Sequence, residues 1–277
     1  MPAPIDTAMQ QLARQKFTSF ALRVPTNWQD PQGDAGQQYS DAFSISEKMT
    51  APGNPPLFIA ASANKYHTDT QKMLIAKIGG FLDKTCSAIC YAWGQWQKMA
   101  AMPGIIVNGP VAAGGQITGP PLQAFIVQKG AMDTPNLEKF TNVIATVIST
   151  AWLAFTATVK VPGLPWYPAF AMVTAPVAPP MQNLPCTFAQ LVQVPASIAA
   201  QAMKAQMVSM LADPQAPFAP QIFDSICTAF EQTYNTWKAT CMVQAKGTGP
   251  VPTFAPPVVP GGPVVMGVAA VTPGGFT

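Results

Sequence analysis

The spacing of apolar and polar positions divides the chain into helical stripes separated by apolar runs broken by proline and glycine. Within residues 66–102, Phe81, Thr85, Ile89, Trp93 and Trp96 recur at steps of three and four, the period of one helix face. Thr68 or Asp69 is the candidate N-cap, and Gly79-Gly80 is expected to split the stretch into a short and a long helix. Residues 134–159 carry a second stripe, with Thr134 as cap and Pro135 at the first helical position. Further helices are expected at 196–211 and 219–245, and a helical or extended lead-in at 1–23.

The intervening segments read differently. Residues 24–41 cluster Pro, Gly, Asn and Asp as a loop does, 51–56 form a second break, and 57–63 (LFIAASA) predict a short strand. Residues 103–128 hold too much proline and glycine for a long helix, and their short apolar runs predict strands or extended arms. Residues 161–195 are a second Pro-rich segment, and the prolines of 251–277 predict an extended apolar arm rather than a central strand. The expected class is α+β. The expected division is a lead-in with loops at 1–56, a helical core with two Pro/Gly-rich segments at 57–250, and an apolar C-terminal arm at 251–277.

The helices also align with one another. Residues 81–96 match 222–237 without gaps, placing Asp83 on Asp224, Cys86 on Cys227, Ala88 on Ala229 and Trp96 on Trp237. Residues 140–155 fit the same frame, with Phe81 on Phe140, Ile89 on Ile148 and Ala92-Trp93 on Ala151-Trp152. Seven residues beyond Trp96 and Phe155 the same dipeptide follows, Pro103-Gly104 and Pro162-Gly163. A shared stripe is what any two amphipathic helices would show. The off-stripe Asp pair and the recurring dipeptide point further, to a repeated unit of helix plus extended segment.

Charge changes the picture most. Only 10% of the 277 residues are charged, against about 25% in typical soluble domains. Residues 140–277 hold seven charges, and from Phe140 to Met203 there is only Lys160. Surfaces that stay apart carry more charge than this, so much of the surface is expected to be covered by neighbouring chains. The alternative is a surface made soluble by Ser, Thr, Asn and Gln. The net charge of +3 comes from scattered basic residues, with no basic run, so no nucleic-acid partner is expected through a basic patch. The N-terminus lacks the basic-then-apolar pattern of a signal peptide. Residues 140–159 are uncharged over the length of a membrane span. Their stripe of Val143, Ile144, Val147, Ile148, Ala151, Trp152 and Phe155 faces Thr, Ser and Asn on other sides, which argues against lipid contact.

Candidate chemistry is sparse. His67 is the single histidine; beside Asp69 it reads as a capping or surface residue, and multi-histidine zinc sites are excluded. Cys86 and Cys90 share a helix face but have no second closely spaced pair, so the five cysteines are expected to be buried, reduced thiols. The glycines of 108–120 match neither a phosphate loop nor a dinucleotide fingerprint, and no G-x-S-x-G elbow occurs. No enzyme activity, cofactor, metal or small-molecule substrate is expected. The expected role is that of a structural subunit of a large assembly, with a bacteriophage or phage-like particle (capsid, tail or baseplate) assembled in the host cytoplasm as its setting. Its partners would be copies of itself and other structural subunits. The alternatives are a secreted or surface-layer adhesin-type binding protein, and a membrane-associated protein using 140–159. Candidate interface residues are Trp166 and Tyr167, an aromatic pair between prolines, and Phe254, Val258, Val259, Val264, Val265, Met266 and Phe276 in the apolar tail.

Overall fold

The computed structural model describes residues 4–22, 68–214, 216 and 218–277. The loop at 24–41, the break at 51–56, the strand at 57–63 and His67 lie outside these residues. The described residues form six α-helices: α1 (Asp6–Thr18), α2 (Thr68–Met99), α3 (Gln123–Lys129), α4 (Pro135–Thr156), α5 (Ala200–Leu211) and α6 (Ala219–Thr240). At the start of α4, Thr134 is extended and its hydroxyl accepts from the Leu137 amide at 3.3 Å, with Pro135 at the first helical position, as the sequence predicts. Helix α2 runs unbroken through Gly79-Gly80. A helical glycine costs about 1 kcal/mol relative to alanine, too little to interrupt 32 residues anchored further along by buried Trp93 and Trp96. The helix expected to reach residue 245 ends at Thr240.

The three long helices bring their stripes together. Trp93 of α2 lies 4.7 Å from Trp152 of α4 and 5.2 Å from Trp237 of α6, measured between ring centroids. Trp96 packs edge-on to Trp152 at 4.9 Å. Each short helix sits against two long ones: α1 on α2 and α6, α3 on α2 and α4, α5 on α4 and α6. Every long helix is followed within a few residues by a strand.

The strands are β1 (Met102–Asn108), β2 (Val111–Gly114), β3 (Val161–Leu164), β4 (Val177–Gln182), β5 (Val243–Pro250) and β6 (Gly267–Phe276). They form one antiparallel sheet in the order β3-β2-β1-β6-β5-β4. The fold is therefore mixed α+β, as expected. The extended reading of 103–128 holds for β1 and β2, but its end is the seven-residue helix α3.

The tail is the main correction. Residues 251–277 were expected to form an arm, yet β6 is central to the sheet, with Ile106↔Val268 on one side and Lys246↔Ala270 on the other. Proline normally keeps a strand at a sheet edge because it has no N–H for the ladder. Here Pro273-Gly274 falls inside a bulge, between the pairs Val243↔Phe276 and Ala245↔Val271, and Gly274 takes φ +80°. The two dipeptides that mark the sequence repeat do the same. Pro103-Gly104 lies between the paired positions Met102 and Ile105, and Pro162-Gly163 lies at the register shift of β3. Gly104 and Gly163 take φ +77° and +92°, where a side chain would be strained.

Candidate interaction surface

The nine candidate interface residues fall into two groups. Trp166, Tyr167, Val264 and Phe276 are buried within this chain's own core, which corrects their reading as contacts for a neighbour. Tyr167 stacks on Phe170 at 4.9 Å and donates its hydroxyl to the Ala245 carbonyl at 3.1 Å. Its ring fits because Gly247 has no side chain; a Cβ there would lie 2.7 Å from the ring. Burial holds the Tyr167 hydroxyl well above its usual pKa. The Val264 amide donates to the Phe170 carbonyl at 3.0 Å. Phe276 is 2% exposed and stacks on Trp96 at 6.0 Å, while Gln97 donates to its carbonyl at 2.9 Å. Phe254 is partly buried against the core. Val258, Val259, Val265 and Met266 are exposed, Val258 at 84%.

Strand alternation then defines an outward face. In β1 the buried positions Ile105 and Val107 alternate with Ile106 and Asn108, which point away from the core. In β6, Gly267, Ala269 and Val271 are buried and Val268 points outward. Register places Ala113, Ile106, Val268 and Thr248 in one row across four strands, β2-β1-β6-β5. Ile106 is 45% and Val268 61% exposed, side by side. Val111 and Met266 extend the patch; Asn108 pairs with Val111, and its side chain accepts from the Met266 amide at 2.8 Å. The sequence reading missed this face except at Val265 and Met266. Ile105-Ile106 gives no signal of which residue faces in, because the two are identical and only the partner strands decide.

Charge is segregated between the layers. The strand-bearing stretches 100–122, 159–199 and 241–277 contain two charged residues, Lys160 and Lys246, and no acid. The helices and the loops that join them carry the ion pairs. Asp83 of α2 and Asp224 of α6, matched in the sequence repeat, both receive basic residues from α1. Arg14 makes a two-pronged pair with Asp83, its Nε at 2.7 Å, and this contact raises the Arg14 pKa. Lys16 lies 3.5 Å from Asp224, which is buried and also meets Lys204 at 3.5 Å.

All five cysteines are free and buried. Burial raises every one of their thiol pKa values, Cys90 and Cys241 to about 12, so they are protonated at neutral pH and poor nucleophiles. Met9 and Met207 lie 3.6 Å from Cys90 and Cys227, as sulfur packing in a core. No three His, Cys, Asp or Glu side chains gather closely enough for a metal ion among the described residues. A groove of about 440 Å³ between α2, α4 and the α5–α6 connection is lined by Leu74, Ile78, Phe81, Leu137, Phe140 and Ile222. Its one carboxylate, Asp213, is ion-paired with Lys139 at 3.5 Å. No described helix is long and apolar enough to cross a membrane. Compared with known protein families, with characterised proteins and with solved structures, the chain has no match.

Proposed function

We propose that this chain is a structural subunit of a large protein assembly, acting through contacts between subunits, with a bacteriophage or phage-like particle as its setting. The observation that carries the reading is the division of charge: the helical layer holds the ion pairs, while the strand-bearing stretches hold two lysines and no acid. A layer that faced bulk water throughout would need dispersed charge of both signs to stay apart from its copies. The apolar residues on its outward side, Ile106, Val268 and Met266, strengthen the reading. The particle setting rests on the combination of charge poverty, uncharged polar residues and proline-rich strands, and is a likeness of class only.

The test is to express the chain alone, without detergent, and to measure its mass by light scattering over a range of concentrations. The reading expects species of several times 29.3 kDa that grow with concentration. A clean monomer of 29.3 kDa at every concentration would remove the basis for it.

A further inference from the structure

We infer that the outward face of β2, β1 and β6 is where one copy of this chain meets a second copy, face against face. This rests on the assembly reading and deepens it by naming the contact and the partner.

Three observations choose the occupant. First, strand addition at the sheet edges is disfavoured. Edge strand β3 is four residues long and contains Pro162, and edge strand β4 contains Pro179-Pro180. Proline offers no N–H to an added strand, and short edges give it little to pair with. Second, the face does not suit a charged partner. Its central row of Ala113, Ile106, Val268 and Thr248 is uncharged, and Lys246 on β5 is the one charged residue on the strands themselves. An acidic partner would find a single cation, and a basic partner nothing to pair with.

Third, the area is of the right size for a self-complementary contact. Ile106, Val111, Val265, Met266 and Val268 are 45%, 40%, 39%, 67% and 61% exposed. With Ala113 they present on the order of 500 Å² of apolar surface, as large as the patches that mark interaction sites on monomers. Two such faces pressed together bury about 1,000 Å², the lower limit for a specific interface. A contact at that limit is reversible and concentration-dependent, the kind that combines with others in a many-subunit assembly.

The test is the double variant Ile106→Glu/Val268→Glu, compared with the wild type and with Met73→Glu, an exposed position near the start of α2, at the end opposite β1. Circular dichroism and a thermal melt first establish that each variant is folded; outward strand positions tolerate polar residues. Sedimentation velocity then reads the mass as concentration rises. The expected result is self-association of the wild type and of Met73→Glu, with the double variant shifted at least tenfold toward monomer. If all three associate equally, the face is not the contact, although the assembly reading survives. If the wild type is monomeric throughout, both fail. Should the double variant not fold, Val268→Thr, which trims apolar area and adds no charge, replaces it, with a weakening of association expected; unchanged association again overturns the proposal.

Discussion

Truncating Phe276 to alanine tests whether the C-terminal residues are core. In a loose arm, a change at Phe276 would be tolerated. Instead its ring is 2% exposed, stacks on Trp96 at 6.0 Å and meets Phe188 at 6.0 Å. Its backbone is held by Gln97, and the next residue, Thr277, exchanges two backbone hydrogen bonds with Met242. Removing a buried phenylalanine ring costs about 3–5 kcal/mol, as lost transfer energy plus the cavity left behind. Val258→Ala is the control. Val258 sits in the same tail but is 84% exposed, so its expected loss is under about 0.5 kcal/mol. Urea unfolding followed by tryptophan fluorescence measures both as global stabilities. A loss under about 0.5 kcal/mol for Phe276→Ala would mean that β6 does not dock as described. The logic extends to deletion of 251–277, which removes a central strand and is expected to unfold the sheet rather than only impair assembly.

Two further predictions follow from buried groups. The thiols of Cys86, Cys90, Cys227 and Cys241 are raised by burial, whereas unfolded thiols ionise near pH 8.5. Their stabilising effect is therefore complete below about pH 8.5 and declines as pH rises toward the folded values. At pH 9.5 each thiol shifts the folding equilibrium about tenfold, and the four together remove about 5 kcal/mol, comparable to the whole stability of a small domain. Melting curves in reductant from pH 7 to 10 should show a steep fall above pH 8.5; a flat profile would contradict the burial. Separately, Asp224→Asn should cost about 2 kcal/mol and Asp83→Asn under about 1 kcal/mol, since only Asp224 is buried. Equal losses in chemical denaturation would show that the two matched positions do not differ in burial as described.

The helices were legible because a helix packed on one side must place its apolar residues at steps of three and four. Phe81, Ile89, Trp93 and Trp96 do so over several turns. Helix α3, QAFIVQK, was not legible, because seven residues between Pro121 and Gly130 are too few to show a period. The aromatic pair Trp166-Tyr167 reads as an anchor for a neighbour because it stands rigidly between prolines. What covers Tyr167 is the space above Gly247, eighty residues away in the chain, and a missing side chain leaves no local pattern to read. The tail misled for a more general reason. Proline argues against a central strand only if its missing N–H falls in the ladder, and Pro273 sits in a bulge where it does not. The same dipeptide at Pro103-Gly104 and Pro162-Gly163 had already been singled out as a repeat, and its meaning is a bulge.

The alternative explanation for low charge is a surface kept soluble by uncharged polar residues, and it can be examined position by position. It holds in part on the helices, where Leu153, Val208 and Met210 are also exposed. Thr150 is exposed on α4, and half-buried Thr146 accepts a hydrogen bond from Gln123 of α3 at 3.1 Å. It fails on the sheet. The outward positions of β2, β1 and β6 include Val111, Ala113, Ile106 and Val268, and Asn108 spends its carbonyl oxygen on the Met266 amide. Water gains little there, although serine or threonine would satisfy the backbone equally well and β-sheets accept threonine readily. The proposed contact would remove these solvent-facing apolar side chains from water. The sheet edges, short or interrupted by proline, leave the face as the place we propose for that contact.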